Sequence, residues 1–286
     1  MRKLLCLFAL AGLVAACDNT KDEEEPIAGG GVIDYIEFLR YDEGVEAGPH
    51  SKIVLTPTFD AKGRLVRSLE QYYFADHESG KLAPNQYYQT TFEYKSDNSV
   101  AYSRANGYWD YSAEPQGWNA PSESQNAVFP LNDDGYATEW PGAKATFEYT
   151  TGGYLEVYES NKGEDYWWQK SDYVWENGDL RKITKTTNRG SYDAYTFTYT
   201  TDENPFGNYD IFSSGLCGWI DGETGPWAAG VFGKHPKHLI RTETDENTTV
   251  TYSYKKDKNG RIVEVQRAEG GSLGGPVGGV FVIHWK

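Results

Sequence analysis

The chain of 286 residues is 38% hydrophobic and 24% charged, with a formal net charge of −15 and a mean hydropathy of −0.67. This acidity excludes nucleic acid as a partner, because phosphate binding needs a Lys/Arg surface, and it disfavours electrostatic docking onto anionic lipid. An aromatic share of 15%, with 22 Tyr and 9 Trp, excludes wholesale disorder, since disordered chains are poor in aromatics.

Arg2 and Lys3 precede an apolar run from Leu4 to Val14. The run is too short to cross a bilayer core as a helix and has the length of a signal-peptide h-region. It ends in Leu13-Val14-Ala15-Ala16-Cys17, which resembles a bacterial lipobox. Residues 1–16 are therefore read as a lipoprotein signal peptide, with Cys17 as the lipidated residue. The alternative is an ordinary secretory peptide in which Cys17 is incidental. Several acyl chains at Cys17 give a stable anchor to the membrane, where a single chain is marginal. Residues 17–31 combine an acidic run, Asp22 to Glu25, with Pro26 and the triplet Gly29 to Gly31, a composition that reads as a solvated tether. The acidic run also resembles the export signal of Bacteroidota lipoproteins. That resemblance implies an outer-membrane lipoprotein at the cell surface, the alternative being one that faces the periplasm. With Cys6 removed and Cys17 lipidated, Cys217 has no partner, so neither a disulfide framework nor a Cys-based zinc site is expected. Cys217 is read as a small buried hydrophobe.

Residues 32–286 are read as a single all-β domain. Aromatic or β-branched residues alternate with polar ones in Thr91-Phe92-Glu93-Tyr94, Thr146-Phe147-Glu148-Tyr149, Asp172-Tyr173-Val174-Trp175, Tyr195 to Tyr199 and Thr251-Tyr252-Ser253-Tyr254. A period of two argues half-buried antiparallel strands. Gly-centred turns recur at Gly63, Gly153, Gly178 and Gly260, with a weaker copy at Gly135, each followed by an alternating strand. Gly there supplies the positive φ of a tight hairpin. The expected fold is an antiparallel meander of repeated hairpins forming a curved sheet, open barrel or sandwich-like wrap. Two subdomains divided near Gly107 to Pro130 are the alternative. The hairpins resemble YD-type repeats, and their order resembles an uncharacterised family of Bacteroidota surface lipoproteins. The likeness covers most of Phe59 to Gln266 and is strongest at Tyr173 to Ile183 and Tyr199 to Pro205. It implies hairpins rather than chemistry.

Two irregular stretches interrupt the meander. Gly107 to Pro130 holds Tyr108, Trp109, Tyr111 and Trp118, and Asn204 to His238 holds Trp219, Trp227 and Phe232. Long loops are functional or disordered, and this aromatic content argues for order. Val280 to Trp285 reads as a terminal strand.

No nucleophile elbow, P-loop, dinucleotide fingerprint or His-Glu-x-x-His is present, so neither cofactor nor metal is expected. His235 and His238, split by Pro236, read as two exposed imidazoles on a turn. The carboxylate pairs Asp133-Asp134, Asp202-Glu203 and Asp245-Glu246 are explained by turn chemistry. Trp and Tyr on loops can stack on sugar rings, which makes Trp109, Trp118, Trp219 and Trp227 the candidate ligand-binding residues. Trp167 and Trp168, adjacent in a strand, face opposite sides. Their competing role is a satellite core under the loops. The functional expectation is a non-enzymatic binding module for a glycan or protein. A glycan binder would show a shallow face with two or three coplanar exposed aromatics, a hydrolase would need a cleft with two close carboxylates, and an assembly protein would show an uncapped strand edge.

Overall fold

The computed structural model describes residues 32–41, 48–76, 79–161, 168–207, 226, 228–270 and 277–286. Its alternating segments form seventeen strands. They are β1 (Ile33–Tyr41), β2 (Ser51–Phe59), β3 (Leu65–Ala75), β4 (Leu82–Tyr94), β5 (Ser99–Asp110), β6 (Gly117–Trp118), β7 (Ser122–Pro130), β8 (Glu139–Trp140), β9 (Ala145–Tyr149), β10 (Leu155–Ser160), β11 (Gln169–Glu176), β12 (Asp179–Thr187), β13 (Gly190–Glu203), β14 (His238–Thr244), β15 (Thr249–Lys256), β16 (Ile262–Gly270) and β17 (Val277–Trp285).

The strands pair antiparallel with their sequence neighbours from β1 to β5, then β5 with β7. The same meander runs from β8 to β17. Strand β17 also pairs with β1, matching Phe281 to Phe38 and Ile283 to Ile36. The sheet therefore curls until its two ends, β7 and β8, meet. No full ladder closes that seam among the described residues. It carries an isolated bridge between Leu131 and Ala137 and a hydrogen bond from Thr138 N–H to Pro130 O, 2.9 Å. The result is an open, barrel-like wrap.

All five Gly turns lie at one end of the wrap, here the lower end. Four share one construction. In three, a side-chain oxygen of the first residue accepts from two backbone N–H groups. Asp60 Oδ1 takes those of Lys62 and Arg64, Asn132 Oδ1 those of Asp134 and Tyr136, and Asp257 Oδ1 those of Asn259 and Arg261. In the fourth, Thr150 Oγ1 takes that of Tyr154. The glycine of each has φ between 76° and 87°. The fifth joins β11 to β12 through Asn177 and Gly178 at φ 55° and 87°, the two-residue turn that Asn-Gly favours.

The strand ends are stapled to these turns. Five descending strands, β4, β9, β11, β15 and β17, carry at or near their ends an apolar residue, a spacer and a second aromatic, as in Phe92-Glu93-Tyr94. The first side chain enters the core. The second donates to a backbone carbonyl at the start of the neighbouring ascending segment. Tyr94 reaches Leu65 (3.2 Å), Tyr149 reaches Ala137 (2.8 Å), Trp175 reaches Leu155 (2.6 Å), Tyr254 reaches Ile240 (2.6 Å) and Trp285 reaches Ile262 (2.8 Å).

The lower part of the wrap is filled. Ile36, Leu65, Tyr102, Phe129, Phe147, Tyr158, Leu180, Ile183 and Val265 face inward into one apolar cluster. Phe206, Ala228, Val231 and Phe232, from the long connection between β13 and β14, join them. Phe232 stacks on Phe147 at 4.7 Å and meets Phe129 edge-on at 5.7 Å. Ala137 N–H donates to Val231 O at 2.8 Å, so this segment also braces the seam. The connection expected to be an ordered loop supplies, in its described part, a plug.

Candidate functional site

The outer face of β3–β5 carries an aromatic corner. Register places Gln71, Tyr87 and Gly107 in one row, and Trp109 opposite Trp118. Tyr87 lies flat over Gly107, where any Cβ would collide with its ring, so the glycine permits the packing. Trp118 meets Trp109, Tyr87 and Tyr73 edge-on, with centroids 5.1, 5.3 and 6.5 Å apart and interplanar angles of 88°, 79° and 86°. Lys52 Nζ sits 4.9 Å from the Tyr73 ring. The hairpin that carries Trp118 is tied down at both ends. Tyr87 OH donates to Asn119 O at 2.9 Å, and Tyr111 OH donates to Pro84 O at 2.5 Å. Two of the four expected ligand residues, Trp109 and Trp118, are thus brought together, half-buried. They interlock edge to face instead of lying coplanar. Trp219 and Trp227 lie outside the described residues, as do Trp167, Cys17 and Cys217. Trp168 donates to Glu159 at 2.9 Å.

The histidines depart from expectation. His235 is buried within the segment that plugs the lower end. His238 is held twice by the carboxylate of Asp179, itself buried at the start of β12. Its backbone N–H reaches Oδ1 at 3.0 Å, and its ring Nδ1 lies 2.9 Å from Oδ2. The chain after Pro236 runs straight into β14 against the β11–β12 turn, where Lys237 N–H donates to Gly178 O at 2.9 Å, which leaves His235 buried and the His238 ring half-buried. Asp133 and Asp134 lie in a turn, Asp245 caps another through Asn247 and Thr248, and Asp202, at the end of β13, pairs with Lys256. A cleft of about 570 Å³ on the outer face of β4, β5 and β7, walled by Pro141 and Gly142, carries one carboxylate, Glu93. Among the described residues no group of three or more His, Cys, Asp or Glu side chains is placed to hold a metal ion.

The upper inner face holds polar groups that the period-two reading passed over. On β3–β5 stand Glu70, Tyr72, Tyr88 and Arg104, and on β14–β16 Glu243, Tyr252 and Arg267, with Glu269 beyond. Tyr72 OH donates to Glu70 at 3.1 Å and Tyr252 OH to Glu243 at 2.8 Å. Burial, then the adjacent carboxylate, pushes both phenols well above the usual tyrosine range. Arg267 pairs with Glu269 at 2.6 Å. Parity alone could have placed these residues inside, because Ser68, Glu70 and Tyr72 share one face of β3. Nothing in their polarity marks them as inward.

The outer wall is polar. Lys52 pairs with Glu37 across β1–β2, Lys255 with Glu264, and Lys170 with Asp172. Arg67 bonds Gln89, and Thr198 bonds Thr242. A strand wall facing lipid carries an apolar band instead, and Lys or Arg at its midplane costs about 2–4 kcal/mol. No helix among the described residues is long and apolar enough to cross a membrane.

Over residues 58–264 the chain matches the model of a family described as a domain of unknown function (DUF4595) with porin-like fold, and it belongs to that family. Among solved structures it is similar to a porin-like protein from Bacteroides uniformis ATCC 8492, at 18% identity and a TM-score of 0.64, over 90% of this chain and 98% of that one. A porin-like protein from Bacteroides vulgatus ATCC 8482 aligns at 9% identity and a TM-score of 0.36, over 90% and 99%. No curated protein matches the chain.

Proposed function

We propose that this member of the porin-like family is a non-enzymatic glycan-binding module of the cell envelope. It is anchored through lipidated Cys17 and held off the outer membrane, on its outer face, by the tether of residues 17–31. Its body is one β domain whose repeated hairpins are of YD type. The observation that carries the binding reading is the corner of Tyr73, Tyr87, Trp109 and Trp118 on an otherwise Thr-, Lys- and Glu-rich outer wall. Large rings with polar edges favour carbohydrate, and their edge-to-face locking holds the surface rigid before a ligand arrives. The polar outer wall supports a body that stands in water, and the porin-like fold of the family is compatible with a place in the envelope.

Binding to an array of immobilised oligosaccharides tests this. Wild type is expected to retain a subset of glycans, and Trp109→Ala and Trp118→Ala to weaken retention about tenfold. Trp219→Ala and Trp227→Ala belong in the same series. If no glycan is retained, or all variants bind like wild type, the reading fails. Attachment is checked apart from binding, since Cys17→Ala should abolish fatty-acid labelling.

A further inference from the structure

The inner face of β3–β5 changes character from the lower end to the upper. Pairing fixes its rows as Phe92 with Tyr102, then Ser68, Thr90 and Arg104, then Glu70, Tyr88 and Asn106, then Tyr72, Gln86 and Tyr108. Phe74 stands above them on β3. The lowest row belongs to the apolar core. In the middle rows Ser68, Thr90 and Glu70 are buried, Glu70 to 7% exposure. At the top, Phe74 and Tyr108 are 43% and 52% exposed. Ring contacts hold the middle rows in place. Arg104 lies 4.4 Å from the Tyr88 ring centroid, Tyr72 meets Tyr88 edge-on at 5.6 Å, and Tyr72 OH bonds Glu70.

A wall that served only to close the wrap would continue the apolar rows. The neighbouring strands do so at the same height, where Leu55 pairs with Glu70, and Ile53 joins Phe38 to Tyr72. Burying charge and amide groups costs free energy unless they are paired. Charged groups also line the inner face of β14–β16, but among the described residues only those of β3–β5 stand beneath exposed rings, Phe74 and Tyr108, and that combination marks a local specialisation. The set holds one guanidinium, one carboxylate and two amides. A phosphate or acidic ligand calls for surplus cations, and an apolar one for no charge at all. A balanced set of donors and acceptors under aromatic rings suits a neutral, polyhydroxylated ligand.

We propose that the inner face of β3–β5 at the mouth of the wrap is a binding surface for neutral saccharides. Phe74 and Tyr108 offer ring faces to the apolar face of a sugar, and Arg104, Glu70, Gln86 and Asn106 offer partners to its hydroxyls. This surface lies on the opposite side of the strands from the Trp109–Trp118 corner and does not depend on it.

The test titrates the full-length protein with arrayed neutral and acidic oligosaccharides and with inorganic phosphate. Phe74→Ala and Tyr108→Ala, whose side chains are exposed, should weaken neutral-saccharide binding about tenfold at an unchanged melting temperature, by the same factor in a Trp109→Ala background, while the exposed β11 variant Val174→Ala binds like wild type. Arg104→Gln should weaken it further, with its fold checked by circular dichroism. The proposal is overturned if Phe74→Ala and Tyr108→Ala bind as wild type does. It is equally overturned if folded wild type retains no neutral saccharide, if acidic sugars or phosphate are preferred, or if only Trp109→Ala loses binding.

Discussion

Tyr94 shows how single residues hold this architecture. Its ring lies beneath the Arg64 guanidinium, 4.0 Å from centroid to carbon, while its hydroxyl closes onto Leu65 O. Burial pushes its phenol up to about 12, against an opposing pull from Arg64. The folded state therefore favours the protonated, donating form. Its stabilisation is complete below pH 10 and is lost as pH rises from 10 to about 12. Tyr94→Phe keeps the ring and removes the donor, and should cost about 1 kcal/mol in chemical denaturation at pH 7. It should also flatten the fall of stability between pH 10 and 12. An unchanged midpoint and slope would show that the staple carries no weight. The Phe-x-Tyr pattern was legible as a strand because both rings share a face. The separate duty of the second ring was not, because it depends on which carbonyl the adjacent hairpin brings within reach.

At the scale of elements, the lower end is set by turn chemistry and by one inserted segment. The turns were readable residue by residue, since Asp, Asn or Thr followed by Gly dictates a local geometry whatever the surroundings. The segment between β13 and β14 was not. Its irregular sequence has no period to betray a face, and only the curl of the sheet creates the space that Phe232 fills. Phe232→Ala should remove contacts to Phe129, Trp140 and Phe147 and cost about 3–5 kcal/mol of unfolding free energy. A loss below about 1 kcal/mol would mean that the segment merely covers the lower end. The candidate site divides in the same way. Trp109 and Trp118 could be named from composition, but their edge-to-face packing follows from a register that places Trp109 opposite Trp118 and Tyr87 over Gly107. The inner rows of β3–β5 escaped because polar residues at alternate positions look solvent-facing until the sheet closes round them.

At the scale of the whole molecule, the chain uses a porin-like meander with polarity opposite to that of a lipid-embedded barrel. Rings and aliphatic side chains fill its lower interior, and Thr–Thr contacts and Lys–Glu pairs cover its outside. The acidity and low hydropathy of the sequence were early signs of such an exterior, and the period-two alternation was the sign of the sheet. Which face would turn outward was not written in either, because alternation is symmetrical until closure selects one side. The proposed function puts attachment at Cys17 and the β body in water. Size-exclusion chromatography of the full-length Cys17→Ala protein in detergent-free buffer tests that separation most directly. A monodisperse folded species without detergent is the predicted result, and a body that aggregates unless detergent is supplied would contradict it.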